Sequence, residues 1–134
     1  MPSVLIVHRS ERAAESFLNI IRDWGYDVTL VTDQNIILDT ISSIRPDVLI
    51  LGGTANGSSG LNLSRDLKKQ PFWIDIPSLL IAADPEEGDI AIVEEKTVSD
   101  CLISPFSIDE FKNKIEMLLP NQLNKTEQEI FEYA

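Results

Sequence analysis

The sequence has little of what builds disulfides, metal centres or membrane anchors. It holds one cysteine and one histidine among 134 residues. A single thiol forms no internal disulfide, and the histidine has no cysteine or second histidine at zinc-binding spacing. No apolar run approaches the roughly 20 residues of a transmembrane helix, and no secretory signal precedes the first apolar segment. These features predict a cytoplasmic protein without a metal, without another cofactor and without contact with a membrane.

Basic residues are also scarce. The 11 lysines and arginines face 22 aspartates and glutamates, which gives a formal charge of −11 at pH 7. Such a charge repels a phosphate backbone, so this segment is not expected to bind nucleic acid. Apolar residues make up 43% of the chain. That fraction is typical of globular proteins, and the length suits one domain.

Short apolar runs alternate with segments of helical periodicity along the whole chain. Five runs rich in β-branched residues are predicted strands, at 4–7, 28–31, 48–51, 79–82 and 101–103. Their nearly continuous apolar character indicates strands that are covered on both faces. The alternation therefore predicts an α/β fold, in which five helices flank a five-stranded, parallel, doubly wound sheet.

Capping residues mark the starts of several predicted helices. Ser10, Asp84 and Ser107 each precede a helical segment and are good N-cap residues. The apolar spacing predicts that Val93 of the fourth helix and Ile108 of the fifth helix face the core.

The five-fold repeat ends near residue 119. Residues 1–119 are predicted to form one domain, and residues 120–134 a linker and the start of a C-terminal helix. Thr126 and Glu129 supply a capping box for that helix. The tail is either a frayed terminus or the beginning of a connector to an effector domain or a dimer partner.

Five segments resemble the successive signatures of the response-regulator receiver (CheY-like) domain. They are VLIVHRSE, GYDVTLVT, RPDVLILGGTANGSSGLNL, IPSLLIAADP and LISPFSIDEF. The resemblance spans residues 3–119 and implies a flavodoxin-like sheet with strand order 2-1-3-4-5. It also implies a cis peptide bond between Ser104 and Pro105. In such a sheet the ligand site lies at the carboxyl ends of the strands.

The resemblance also implies a phosphorylation site, and this sequence lacks its residues. In receiver domains an acidic pair and a phosphoacceptor aspartate hold Mg²⁺, while a hydroxyl residue and a lysine contact the phosphoryl group. His8 and Arg9 stand at the positions of the acidic pair, and Gly52 stands at that of the phosphoacceptor. Ala82 replaces the hydroxyl residue and Ser104 replaces the lysine. Cys101 stands at the position of the aromatic switch residue. Without a carboxylate nucleophile or oxygen ligands for Mg²⁺, aspartyl phosphorylation is predicted to be absent.

The favoured hypothesis is a pseudo-receiver, a phosphorylation-independent interaction module in two-component-type signal transduction, and not an enzyme. Its predicted partners are signalling proteins such as a histidine kinase, a fused effector domain, or a second copy in a homodimer. A candidate docking face comprises Glu86, Glu87, Asp89, Glu94, Glu95 and Cys101. The same run of charge is also typical of a solvated helix, and a cysteine on a strand is often a small core residue.

A small-ligand sensor is the alternative hypothesis. Arg9 and Thr54 are candidate contacts for an anion in the strand-end pocket, although a surface or salt-bridged arginine is the favoured interpretation of Arg9. Residues 52–60 contain glycines and hydroxyls of the kind that cradles phosphate, but not the lysine of a phosphate-binding loop. An unrecognised enzyme is disfavoured, because no nucleophile, base and orienting group converge in the sequence.

Overall fold

Five parallel strands form the centre of the protein. The structure is a computed structural model that describes residues 2–70 and 76–119. The strands are β1 (Ser3–Val7), β2 (Asp27–Val31), β3 (Val48–Leu51), β4 (Ser78–Ala82) and β5 (Asp100–Ile103). They lie in the order β2-β1-β3-β4-β5, and every neighbouring pair is parallel. The predicted fold class and strand order are confirmed.

Helices follow the strands and begin at well-formed caps. They are α1 (Glu11–Asp23), α2 (Ile37–Ile44), α3 (Gly60–Lys68), α4 (Pro85–Asp89) and α5 (Ile108–Leu118). The side chains of Ser10, Asp84 and Ser107 each accept a hydrogen bond from the backbone N–H three residues later, at 2.9–3.1 Å. The three predicted N-caps are therefore confirmed. Each cap satisfies an N–H group that has no partner within the helix.

Alternate residues of the central strands pack on opposite faces of the sheet. On one face, Leu5 and Val7 of β1 join a buried cluster with residues of α2 and α3. On the other face, Val4 and Ile6 join a cluster with residues of α1 and α5. Both faces of the sheet are covered, which explains why the strand sequences are apolar without alternation.

Two residues that were predicted to face the core are exposed. After α4 the chain continues as a π-helical turn over Ile90–Glu94. This wider turn places Ala91 in the core and leaves Val93 66% exposed, so the prediction for Val93 is wrong. Ile108 is 57% exposed because it is the first residue of α5, and the buried face of that helix starts one turn later at Phe111. The prediction for Ile108 is also wrong.

The predicted linker and C-terminal capping box fall on residues 120–134, which lie outside the described residues. Within residues 2–70 and 76–119, no helix is both long enough and apolar enough to cross a bilayer.

Candidate functional site

The loops that follow β1, β3, β4 and β5 meet at the carboxyl edge of the sheet. Val7 pairs with Leu51, which places His8 beside Gly52. Ala82 pairs with Ile103, and the backbone N–H of Ser104 donates to the carbonyl of Ala82 at 3.0 Å. The structure thus brings together the positions that the resemblance assigns to a phosphorylation site.

The imidazole of His8 lies in the space where a side chain at position 52 would stand. A Cβ atom built on Gly52 would be 3.0 Å from His8 Cδ2 and 3.3 Å from the carbonyl oxygen of Val7. Both distances are shorter than ordinary van der Waals contact, so even a methyl group at this position is crowded. Gly52 and His8 are closely packed, so an aspartate at position 52 would require the imidazole to shift.

His8 is held in place by its surroundings. Its Nδ1 accepts a hydrogen bond from the backbone N–H of Ser10 at 3.0 Å, and its ring lies 6.4 Å from the ring of Phe17. Burial lowers the pKa of His8 below its ordinary value, and the charge of Arg9 acts in the same direction. The imidazole is therefore neutral at pH 7, with its remaining proton on Nε2.

Arg9 extends across the loop that follows β3. A Cβ atom on Gly53 would lie 3.1 Å from Nη2 of Arg9 and 3.1 Å from the carbonyl oxygen of Ser58. Gly53 has φ of +103°, a conformation that side-chain-bearing residues rarely adopt. This glycine therefore allows both the turn of the loop and the close approach of the guanidinium, which puts a fixed positive charge where receiver domains hold a cation.

The chemistry of the remaining positions is equally different. Ala82 is buried and has no hydroxyl, and Ser104 has no amine. The peptide bond between Ser104 and Pro105 is cis, as the resemblance implied. The next residue, Phe106, stacks on Phe17 with ring centroids 5.7 Å apart. An aromatic group thus lies beside His8 at this edge of the sheet.

The described residues do not fit the Mg²⁺ that receiver domains bind. Residues 2–70 and 76–119 contain no group of three or more histidine, cysteine, aspartate or glutamate side chains placed to hold a metal ion. The nearby carboxylates of Asp33 and Asp84 serve as caps, accepting backbone hydrogen bonds at 2.9 Å each. Mg²⁺ requires oxygen ligands, usually including carboxylates, and an imidazole with a guanidinium supplies none.

The hydroxyl of Thr54 is buried and has no hydrogen-bond partner among residues 2–70 and 76–119. A buried polar group without a partner costs about 1–3 kcal/mol, and valine has nearly the same shape without the hydroxyl. We therefore expect Thr54→Val to raise the free energy of unfolding by about 1 kcal/mol. Urea denaturation measures the change. Thr54→Ser, which keeps the hydroxyl and loses the methyl group, is the control and should be less stable than the natural chain. A loss of stability in Thr54→Val would instead show that this hydroxyl has a hydrogen-bond partner.

The candidate docking face divides into exposed and engaged residues. Glu86, Asp89 and Glu94 are exposed, and we call them the acidic α4 patch. Glu95 instead forms a bidentate contact with Arg65, with nitrogen–oxygen distances of 2.7–3.0 Å. Glu87 accepts a hydrogen bond from the N–H of Ala83 at 3.2 Å. The pKa of Glu95 is lowered, first by its hydrogen bonds with Arg65.

Cys101 lies beneath α4 and is half-buried. A Cβ atom on Gly88 would lie 2.7 Å from Cys101 Sγ, so α4 rests directly on this strand. Burial raises the pKa of the thiol, followed by the charge of Asp100. A protonated thiol packed against a helix is poorly suited to reaction or to docking.

Comparisons with known proteins support the fold. No protein-family model matches the chain. It is 25% identical to the transcriptional regulatory protein BaeR of Escherichia coli over 118 residues, which are 88% of this chain and 48% of BaeR. It is 27% identical to the sensory transduction protein RegX3 of Mycobacterium tuberculosis over 119 residues, 89% of this chain and 51% of RegX3. The chain thus spans about half the length of these curated relatives.

Solved structures match over nearly the whole domain. The receiver domain of the Francisella response regulator 1452 has a TM-score of 0.78 at 24% identity, covering 91% of this chain and 99% of that one. The signal receiver domain of a histidine kinase from Syntrophus aciditrophicus has a TM-score of 0.75 at 26% identity, covering 90% and 92%. Fold and similarity together support a response-regulator receiver (CheY-like) domain. More particularly, the chain is similar to the receiver part of two-component response regulators.

Proposed function

We propose that this receiver domain is a pseudo-receiver, which acts in signal transduction through protein contacts and accepts no phosphoryl group on aspartate. In this proposal it has no catalytic activity of its own. The observation that carries the proposal is the imidazole of His8, which lies against Gly52 where the phosphoacceptor side chain would stand.

The missing groups are the ones that the transfer reaction depends on. An acyl phosphate forms when a carboxylate oxygen attacks phosphorus, and Gly52 has no side chain to attack with. Charge on the transferring phosphoryl group is normally stabilised by Mg²⁺ and by cationic or hydroxyl side chains. His8, Ala82 and Ser104 provide neither the ligands for that ion nor an amine. Arg9 is a cation at this edge, and its guanidinium lies over Gly53.

The residues that would respond to phosphorylation are also replaced. The resemblance assigns a hydroxyl to position 82 and a mobile aromatic side chain to position 101. Here these positions hold a buried alanine and a cysteine under α4. A ligand shifts a conformational equilibrium only if it binds two states with different affinity. With neither side chain present, the module is proposed to offer its partner one fixed surface.

The acidic α4 patch is the proposed docking surface. Val93, 66% exposed, lies next to Glu94 of this patch and supplies an apolar anchor among the charges. Such a surface fits a basic partner protein in the cytoplasm, because complementary charge steers encounter and selects the partner. Candidate partners are a histidine kinase, an effector domain and a second copy. The solved complex of histidine kinase ThkA with response regulator protein TrrA contains a chain of this fold, at 22% identity. The greater length of BaeR and RegX3 supports an effector domain.

Phosphorylation by a small donor tests the proposal. We expect the full chain to gain no phosphoryl group when it is incubated with acetyl phosphate and Mg²⁺, as measured by intact-protein mass spectrometry at neutral pH. Beryllofluoride with Mg²⁺ should leave its melting temperature unchanged. A receiver domain with an intact acidic pair and aspartate, treated in parallel, is the positive control.

The result that would overturn the proposal is a Mg²⁺-dependent mass gain that hydroxylamine removes, since hydroxylamine cleaves acyl phosphates. A Mg²⁺-dependent rise in melting temperature with beryllofluoride would overturn it as well. A bound ligand at one hundred times its dissociation constant stabilises by about 2.7 kcal/mol, which a thermal shift detects in a domain of this size.

A further inference from the structure

A cavity of about 160 Å³ lies between α3 and the loop before β5, away from the carboxyl edge of the sheet. Its inner wall is formed by Leu49, Leu51, Leu67, Ile76 and Val98, of which Leu49 and Leu51 are almost completely buried. Its rim is polar and carries Lys68, Lys96, Thr97, Ser64, Ser78 and Ser99. An apolar inner wall with a few polar groups at one side is typical of small-molecule sites.

Hydrogen bonds hold the rim in place. Ser64 Oγ and Thr97 Oγ1 are 2.8 Å apart, which ties α3 to the loop before β5. The backbone N–H of Ser78 donates to Ser99 Oγ at 3.1 Å, which ties β4 to the same loop. Lys68 Nζ donates to the carbonyl oxygen of Glu95 at 2.7 Å. The site is therefore largely formed before any ligand arrives, which lowers the entropic cost of binding.

The charge at this rim is opposite to that of the protein as a whole. The chain carries a formal charge of −11. Arg65 is neutralised by Glu95, at 2.7 Å. Within the described residues, neither Lys68 nor Lys96 forms a salt bridge, since Lys68 is bound to a carbonyl oxygen. Lys96 is thus a cation without a paired carboxylate at this cavity, while Lys68, also at the rim, lies close enough to Glu95 to act on its carboxylate.

We propose that this cavity binds a small monocarboxylate with a short apolar body, of about the size of benzoate. The carboxylate would meet Lys96 and Lys68 at the rim, and the apolar body would cover Leu67, Ile76 and Val98. A cavity of about 150 Å³ is large enough for a benzene ring. Hydrogen bonds to charged groups are among the stronger polar contacts, so the two lysines give the site its preference for an anion.

The position of the site connects it to the acidic α4 patch. The backbone N–H of Thr97 donates to the carbonyl of Ala91 at 2.8 Å, which joins the rim to the π-helical turn. Lys96 closes that turn with φ of +55°. A ligand held by Lys68 and Lys96 would fix α3 against the end of this turn, next to Glu94. The binding claim itself does not depend on the loss of phosphorylation.

Titration of the ¹⁵N-labelled full chain with sodium benzoate tests the proposal by nuclear magnetic resonance. We expect saturable shifts of the backbone amides of Thr97, Ser99 and Ser78. Benzamide, which has the same body without the charge, should bind the natural chain roughly tenfold more weakly than benzoate does. The Lys96→Gln variant should bind benzoate roughly tenfold more weakly than the natural chain does. Arg12→Gln, an exposed change on α1, is the matched control and should leave the affinity unchanged.

Three outcomes would overturn the proposal. The first is the absence of saturable benzoate shifts at the cavity in the natural chain. The second is equal affinity for benzamide, which would remove the role of the lysines. The third is equal affinity for inorganic phosphate at the same amides, which would remove the role of the apolar inner wall. The spectrum of each variant, recorded without ligand, shows whether it is folded.

Discussion

A Gly52→Asp variant is expected to remain unphosphorylated by acetyl phosphate and to be less stable than the natural chain. The new Cβ would lie 3.0 Å from the His8 ring and 3.3 Å from the Val7 carbonyl oxygen. Crowding of this kind typically costs about 1–3 kcal/mol. The carboxylate would also enter a half-buried site that has no Mg²⁺ ligands to share the ion with it. Mass spectrometry and urea denaturation measure the two effects.

The companion variant removes the obstruction and restores the acids together. This triple variant combines His8→Asp, Arg9→Asp and Gly52→Asp in one chain. It removes the imidazole and the guanidinium and supplies three carboxylates at the edge of the sheet. We expect this triple variant, unlike Gly52→Asp, to gain stability when Mg²⁺ is added, since carboxylates are the ligands that Mg²⁺ prefers. If Gly52→Asp alone takes up a phosphoryl group, the imidazole of His8 is not the obstacle that we describe.

Gly60→Ala is expected to lower the free energy of unfolding by about 2–3 kcal/mol, and more if the backbone cannot shift. A Cβ atom at this position would lie 2.5 Å from Leu80 Cδ1 and 2.8 Å from the carbonyl oxygen of Leu51. The second contact is with backbone, so a rotamer change cannot relieve it. The sign is informative, because helix propensity alone would make alanine at the start of α3 stabilising by about 0.5–1 kcal/mol. Urea denaturation measures the change.

Gly57→Ala is the control for Gly60→Ala. Gly57 has φ of +95°, but a Cβ atom there would meet no atom within 4 Å. The loss of stability in Gly57→Ala therefore measures backbone strain alone, which costs roughly 1–2 kcal/mol. A Gly60→Ala chain as stable as the natural one would show that α3 is not seated on β3 and β4 as the structure describes.

The fold was predictable because the sequence carries its signals locally. Each strand is a short apolar run, and the caps at Ser10, Asp84 and Ser107 are read from single residues and their immediate neighbours. The exposed Val93 was not predictable, because helical spacing assumes an α-helix and one extra residue in a π-helical turn changes which side chain faces inward. Ile108 was mispredicted because periodicity does not show where along a helix the core begins.

The site was predictable only in part. The resemblance shows which positions meet at the carboxyl edge and that their residues differ from those of phosphorylated receivers. It does not show that His8 fits against Gly52, because that contact depends on the register of two strands that are far apart in sequence. The paired lysines of the cavity were missed for a similar reason. Lys68 lies on α3 and Lys96 in the loop before β5, and only the fold brings them to one rim.

The contact between α4 and β5 also bears on how this sequence can change over evolutionary time. Gly88 leaves no space for a side chain above Cys101, where a Cβ atom would lie 2.7 Å from the sulfur. A side chain at position 88 is therefore crowded while the sulfur stays beneath it. Neither position can be enlarged alone without cost. The effect of a larger side chain at either position is therefore expected to depend on the residue at the other.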